Sequence, residues 1–349
     1  MSSRIRVGVI AAVAVLLMWV AAAFLPLPYV IYSPGPTVNV LGKFDGKQII
    51  TVDGEPTYPT GGELRMTTVR VTNPDARIHL FEAMRAWLSN EQAIYPREAV
   101  YAPNETQEDT ERESALQMAS SQDVAVAAAL TELGYHVDEV PLTILAVTEG
   151  APADGKLKVH DQLIKVGGVK VTKPKQVVDL VQADPPGQPL EIVVRRDGAK
   201  VTVQVTPKKI DGAMRIGVTP GPGFRFPFEV SMGSLGDIGG PSAGTIFALG
   251  IIDTLTPGEL TGGDEIAGTG EIAASGQVGP IGGIQQKIVA ARNAGAGLFL
   301  VPAENCAEAL GAPNGSMRLA KIETLHQARE VVTDWAADHS AKLPLCEAS

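Results

Sequence analysis

The chain has 349 residues, a length that predicts two to three domains and argues against a small scaffold held together by disulfides or a metal. Lysine and arginine number 29 against 39 aspartates and glutamates, so the summed charge of −10 repels phosphate backbones and anionic lipid heads and argues against nucleic acid as a partner. Charged residues make up 19% and hydrophobic ones 45%, with 37 glycines and 25 prolines, which describes packed, turn-rich domains rather than an acidic disordered chain.

After Arg4 and Arg6 no charge appears until Lys43, and Val7 to Leu25 is a 19-residue apolar run, long enough to cross the hydrocarbon of a bilayer. Ala21 to Ala23 would suit signal cleavage, but the run exceeds the roughly 7 to 15 residues of a signal core, so an uncleaved anchor over residues 1–31 is the leading expectation. The two arginines keep the N-terminus cytoplasmic and send the chain beyond Pro26 outward, which predicts a single-pass membrane protein with extracytoplasmic domains. Cys306 and Cys346 suit an oxidising compartment; whether they pair or remain one buried and one tail thiol is open at this level. Phe247 to Leu255 is apolar but too short for a second span, and Pro257 follows it.

Residues 32–133 read as an α+β region: strands over 48–52 and 66–71, helices over 76–89 and 113–133, and an acidic loop from Pro103 to Arg112. The second helical stretch carries Leu116, Met118, Val124, Val126, Leu130 and Leu133; no chemistry is assigned to this region. From Leu142 the pattern turns to short strands at 142–148, 162–166, 190–196 and 200–206, with a helical segment at 174–183 and glycine turns at Gly150, Gly155, Gly167 and Gly168. The run EGAPADGKLKVHDQLIKVGGVKV resembles a PDZ domain, and the similarity covers residues 134–208. It departs from that family at His160, which stands where glycine usually precedes the aspartate and would have to tolerate a left-handed backbone. The resemblance implies capture of a polypeptide by strand addition, often through its C-terminus, with the carboxylate loop expected somewhere near Gly134 to Pro141.

Residues 213–340 are glycine-rich, yet no glycine is followed by the Lys-Ser or Lys-Thr of a phosphate loop, and GTGEIAASG at 268–276 lacks the spacing of a dinucleotide fingerprint. No nucleotide or other cofactor is expected. In GGPSAGTIFALGIIDTLTPG, residues 239–258, Ser242 sits at or just before a helix that is apolar on nearly all sides. Free N–H groups there favour developing negative charge, which suits a nucleophile; the simpler reading is an N-cap serine. A serine needs a base, and none of the five histidines (His79, His136, His160, His326, His339) lies between residues 161 and 325. Lys287 is flanked at helical spacing by Gly283, Ile284, Ala290 and Ala291, so it is either a buried amine of lowered pKa or a lysine reaching from the edge of the stripe to solvent.

GGPSAG around Ser242, IAGTGEI around Thr269 and VGPIGGIQQK ending at Lys287 together resemble the proteolytic domain of Lon-type proteases, over roughly residues 213–340. By that resemblance Ser242 is the nucleophile, Lys287 the general base and Thr269 the hydroxyl that orients the amine. Lon proteases usually carry an acidic residue three places before the serine, where this chain has Gly239, and their ATPase domain is absent here. With a membrane anchor, a PDZ module, a Lon-like domain and a tail at 341–349, the whole resembles the bacterial PDZ-containing Lon-like proteases of the cell envelope (YlbL type). The fold class expected is therefore α+β and multidomain. The function expected is a membrane-anchored, ATP-independent serine endopeptidase acting on exposed or flexible polypeptides, as a homo-oligomer by family default. The competing readings are a non-catalytic envelope scaffold that binds peptide ends and an acyl-transfer enzyme on a non-peptide substrate.

Overall fold

The computed structural model describes residues 3–347 except 186, 197 and 211; within helix α1 the side chains of residues 3, 4, 6, 17 and 19–23 also lie outside the description. Helix α1 is Ser3–Phe24. Among the described residues no helix is long and apolar enough to cross a membrane. The transmembrane span expected at Val7 to Leu25 is thus not found among them, since it runs through Leu17 and residues 19–23.

The elements that build the body come in this chain order: β1 Tyr29–Asn39, β2 Ile50–Asp53, β3 Glu63–Val71, α2 Leu80–Trp87, β4 Ala93–Pro96 and α3 Gln107–Glu132. A second group comprises β5 Asp138–Val147, β6 Gln162–Val166, α4 Pro174–Ala183, β7 Leu190–Arg196, β8 Ala199–Val205 and β9 Val218–Arg225. The chain then returns to the body with β10 Glu229–Met232, α5 Gly244–Leu255, β11 Glu265–Gly268, α6 Ile284–Asn293, β12 Leu298–Pro302, β13 Arg318–Ile322 and α7 Leu325–Ala337.

The main sheet has the strand order β13-β12-β11-β3-β1-β4. β11 pairs in parallel with both β12 and β3, β12 in parallel with β13, and β1 antiparallel with β3 and β4. Half of this sheet comes from the segment before residue 100, and β2 pairs with β10 across the same long gap. One core cluster runs from Val38 to Leu343 and joins both stretches around Phe247, Leu249 and Ile252, so the region at 32–133 is structurally continuous with the chain from residue 229 onward. The second group forms an antiparallel sheet in the order β8-β7-β6-β5-β9, with its own core built on Leu142, Ile144, Leu163, Ile192 and Val205. This module sits as an insert between α3 and β10. Its last strand, β9, lies wholly beyond the expected end of the module at residue 208, because it pairs antiparallel with β5.

Helix α3 begins six residues before its expected start at residue 113, inside the stretch expected to be an acidic loop. Thr106 accepts a hydrogen bond from the Asp109 N–H, Asp109 accepts from the Thr106 N–H, and Glu108 and Asp109 complement the positive end of the helix. Cys306 and Cys346 form a disulfide. It pins the C-terminal segment along β13, where the Lys321 N–H donates to Pro344 O and the Cys346 N–H to Leu319 O. His160 adopts φ 66°, the left-handed backbone that its place in the turn demands.

Candidate active site

α5 is buried on every side from Gly244 to Asp253, and the loop before it, Gly239 to Ala243, is tied to the residue after Thr269 by the Gly270 N–H, which donates to Ser242 O. The N-cap of α5 is Ala243, and the side chain of Ser242, one residue earlier, makes no capping bond. Its Oγ lies 2.6 Å from Lys287 Nζ instead. Lys287 stands one turn into α6, whose N-cap Gly283 has φ 68°; a Cβ there would come within 2.7 Å of Val69, so glycine lets α6 press onto β3. The lysine side chain is 2% exposed. Its amine also reaches Thr269 Oγ1 and the Thr67 carbonyl oxygen, each at 3.1 Å.

The hydrogens can be assigned by elimination. The Thr269 hydroxyl donates to Ser242 O at 2.9 Å and so accepts from the amine, while the Thr67 carbonyl can only accept. A neutral amine has two N–H donors for these two oxygens, which leaves its lone pair for the Ser242 hydroxyl. Burial lowers the Lys287 pKa to about 7, against a smaller upward pull from the charge of Glu271. The amine is therefore substantially neutral near neutral pH.

The sequence-derived residues Ser242, Thr269 and Lys287 thus meet at one point. The Thr67 carbonyl joins them from the region to which the sequence assigned no chemistry, and a backbone oxygen leaves no side-chain signature to read. Helix α3 also holds the serine loop: the Gly240 N–H donates to Ser114 O, and Ser121 Oγ donates to Pro241 O. This explains the missing acid at Gly239. A Cβ at that position would lie 2.6 Å from the Ser114 side chain and 2.9 Å from its backbone. A cleft of about 920 Å³ opens over the site, lined among others by Tyr32, Thr67, Glu111, Ser114, Ser242 and Lys287. None of the histidines lines it; His326 on α7 binds Glu132 at 2.7 Å and His160 binds Asp123 at 2.8 Å. Among the described residues no group of three or more His, Cys, Asp or Glu side chains could hold a metal ion.

Residues 231–335 match the Lon protease (S16) C-terminal proteolytic domain, and residues 117–206 match the PDZ domain. The chain thus carries a peptidase domain of the serine type beside a peptide-recognition module. Its domain make-up is that of a PDZ-containing Lon-like protease. Over 73 residues it is 37% identical to a Lactococcus lactis protein named as a zinc metalloprotease, a match covering 21% of this chain and only 17% of that protein. Among solved structures, the PDZ domain of the SdrC-like protein of Listeria monocytogenes is 18% identical, covering 23% of this chain and 85% of that one with a TM-score of 0.22. The corresponding Listeria innocua domain is 21% identical, covering 22% and 90%, with a TM-score of 0.21.

Proposed function

We propose that this protein is an ATP-independent serine endopeptidase in which Ser242 is the nucleophile, Lys287 the general base and Thr269 the residue that holds the amine. The observation that carries this reading is the 2.6 Å contact between Ser242 Oγ and a buried amine whose other hydrogens are engaged. In the first step Lys287 Nζ takes the Ser242 proton as Oγ attacks the peptide carbonyl carbon. The resulting oxyanion is met by the N–H groups of Ser242 and Ala243, which have no internal acceptor among the described residues, whereas those of Gly244 and Thr245 are bound to Pro241 O and Gly270 O. The Lys287 ammonium then returns its proton to the leaving amine as the C–N bond breaks. Water, deprotonated by the same amine, hydrolyses the acyl-serine and restores the hydroxyl.

Substrate reaches the cleft as exposed or flexible chain, because a packed strand would have to open at its own cost. The PDZ module captures such chains. Helix α1 anchors the protein in a membrane with the body on the extracytoplasmic side. Support for this comes from the 19-residue apolar run behind Arg4 and Arg6 and from the exposure of Ile5, Val7, Val9, Ile10, Val13, Val15, Leu16 and Met18. The disulfide suits the same compartment. Full-length protein in detergent, incubated with an unstructured protein, should yield fragments that the Ser242→Ala variant does not; equal cleavage by both would reject the assignment.

A further inference from the structure

Helix α2 is built the wrong way round for water. Ala83 and Ala86, its small residues, face the protein at 7% and 1% exposure, while Phe81, Met84, Trp87 and Leu88 face out at 63, 43, 76 and 74%. A solvent-facing helix normally does the reverse, burying its large apolar side chains and exposing its small and polar ones. Phe81, Met84 and Leu88 have helical spacing and form one stripe, with Trp87 beside it; four large apolar residues on two turns mark a surface that meets something.

Three observations say what it meets. The first is continuity with α1: the Leu27 N–H donates to Ile78 O at 2.8 Å, which ties the segment leading into α2 to the residues that leave the anchor, where Phe24 and Leu25 are also exposed. The second is charge. Arg77 and Arg85 are exposed and make no ion pair or hydrogen bond among the described residues, whereas the Glu82 carboxylate is engaged by the His79 N–H. Glu82 keeps its charge, but two arginines flank the stripe and neither is held by a carboxylate among the described residues, on a chain whose total is −10. The third is the side-chain type, since an exposed tryptophan among other apolar residues suits the boundary between head groups and acyl chains.

We propose that α2 lies in the interfacial layer of an anionic bilayer, with Phe81, Met84, Trp87 and Leu88 at the acyl boundary and Arg77 and Arg85 on lipid phosphates. This gives the protein a second membrane contact and fixes how the proteolytic body sits over the membrane. The inference rests on the reading of α1 as an anchor.

The test uses the full chain reconstituted in phosphatidylglycerol-containing vesicles, first floated on a density gradient and then probed by tryptophan fluorescence with a doxyl-labelled lipid or aqueous acrylamide as quencher. The difference between parent and Trp87→Phe isolates Trp87, an exposed side chain whose loss spares the core. The expected result is a Trp87 component quenched by the doxyl lipid, shielded from acrylamide and reduced when Arg77→Gln and Arg85→Gln are combined. If the protein floats but Trp87 is quenched by acrylamide and not by lipid, the seat is wrong and the anchor stands. If the protein does not float, both readings fall. Shielding from both quenchers together with chemical cross-linking through α2 would assign the surface to a second copy and overturn the proposal.

Discussion

The PDZ module and the proteolytic body solve the problem of burying a core in opposite ways. The module closes a core from Leu142 to Ile216 within one contiguous stretch, so each of its strands pairs with partners from the same segment. The body reaches across that insert, pairing β3 with β11 and β2 with β10, and draws one core from residues 38 to 343. Local pairing lets the module order itself from its own sequence, while the body gains its site only when two distant stretches meet. Lys287 Nζ bound to Thr67 O, across 220 residues, shows the consequence: one of the three partners of the amine comes from the far side of the insert.

The largest effects should come from the proposed reacting pair, Ser242 and Lys287. Ser242→Ala and Lys287→Met should each lower turnover by at least roughly 10³-fold, and the double variant should be little worse than either, because groups that act as a unit are non-additive. Lys287→Arg should fail equally, since a guanidinium does not give up its proton. Folding controls here carry information of their own. A lysine whose folded pKa of about 7 lies below its ordinary 10.5 binds fewer protons in the native than in the unfolded state across that window. Parent stability should therefore rise with pH between those values and be lowest below them. Lys287→Met should remove that slope and gain roughly 1–4 kcal/mol at pH 7 and below, read by urea denaturation.

Next comes Gly239→Asp, which restores the acid usual before the serine. It should cost activity rather than add it, because the new side chain meets Ser114 on α3 and forces the serine loop away, at about 1–3 kcal/mol. Peptide binding by the module should be unchanged, which would separate the two regions in one variant; a more active enzyme would overturn the packing argument. Thr269→Ala removes one hydrogen bond to the amine, worth on the order of 1 kcal/mol, so kcat should fall about fivefold.

The smallest effect concerns the joint between the two regions. His160 of the module meets Asp123 of α3 at 2.8 Å. Burial opposes the imidazolium, but the hydrogen bond and charge of Asp123, helped by Glu229, outweigh it and raise the pKa. The joint is thus strongest when His160 is protonated and weakens as pH rises through the raised value. Asp123→Ala should cost roughly 1–2 kcal/mol at pH 5, less at pH 8, and leave cleavage of a short peptide unchanged.

The same contrast explains what could be read from sequence. Strands β6 and β7 and helix α4 match the expected segments because alternation and glycine turns are local signals. The start of α3 is hidden because the Thr106–Asp109 capping pair lies in an acidic stretch that reads as loop. Apolar spacing in 76–89 marks a helix but not which way its large residues face, and here α2 turns Phe81 and Leu88 outward. Which sheet β1 and β3 join is decided by pairing over some 200 residues, and no short pattern records it.

The central claim is that a buried, neutral lysine activates the serine, and the pH dependence of kcat/KM on a short peptide tests it most directly. With Ser242 and Lys287 as the working pair, the rate should climb through a midpoint near 7 toward an alkaline plateau, and His326→Gln should leave the profile in place. A rate flat above pH 6, or a midpoint that disappears with His326→Gln, would contradict the account.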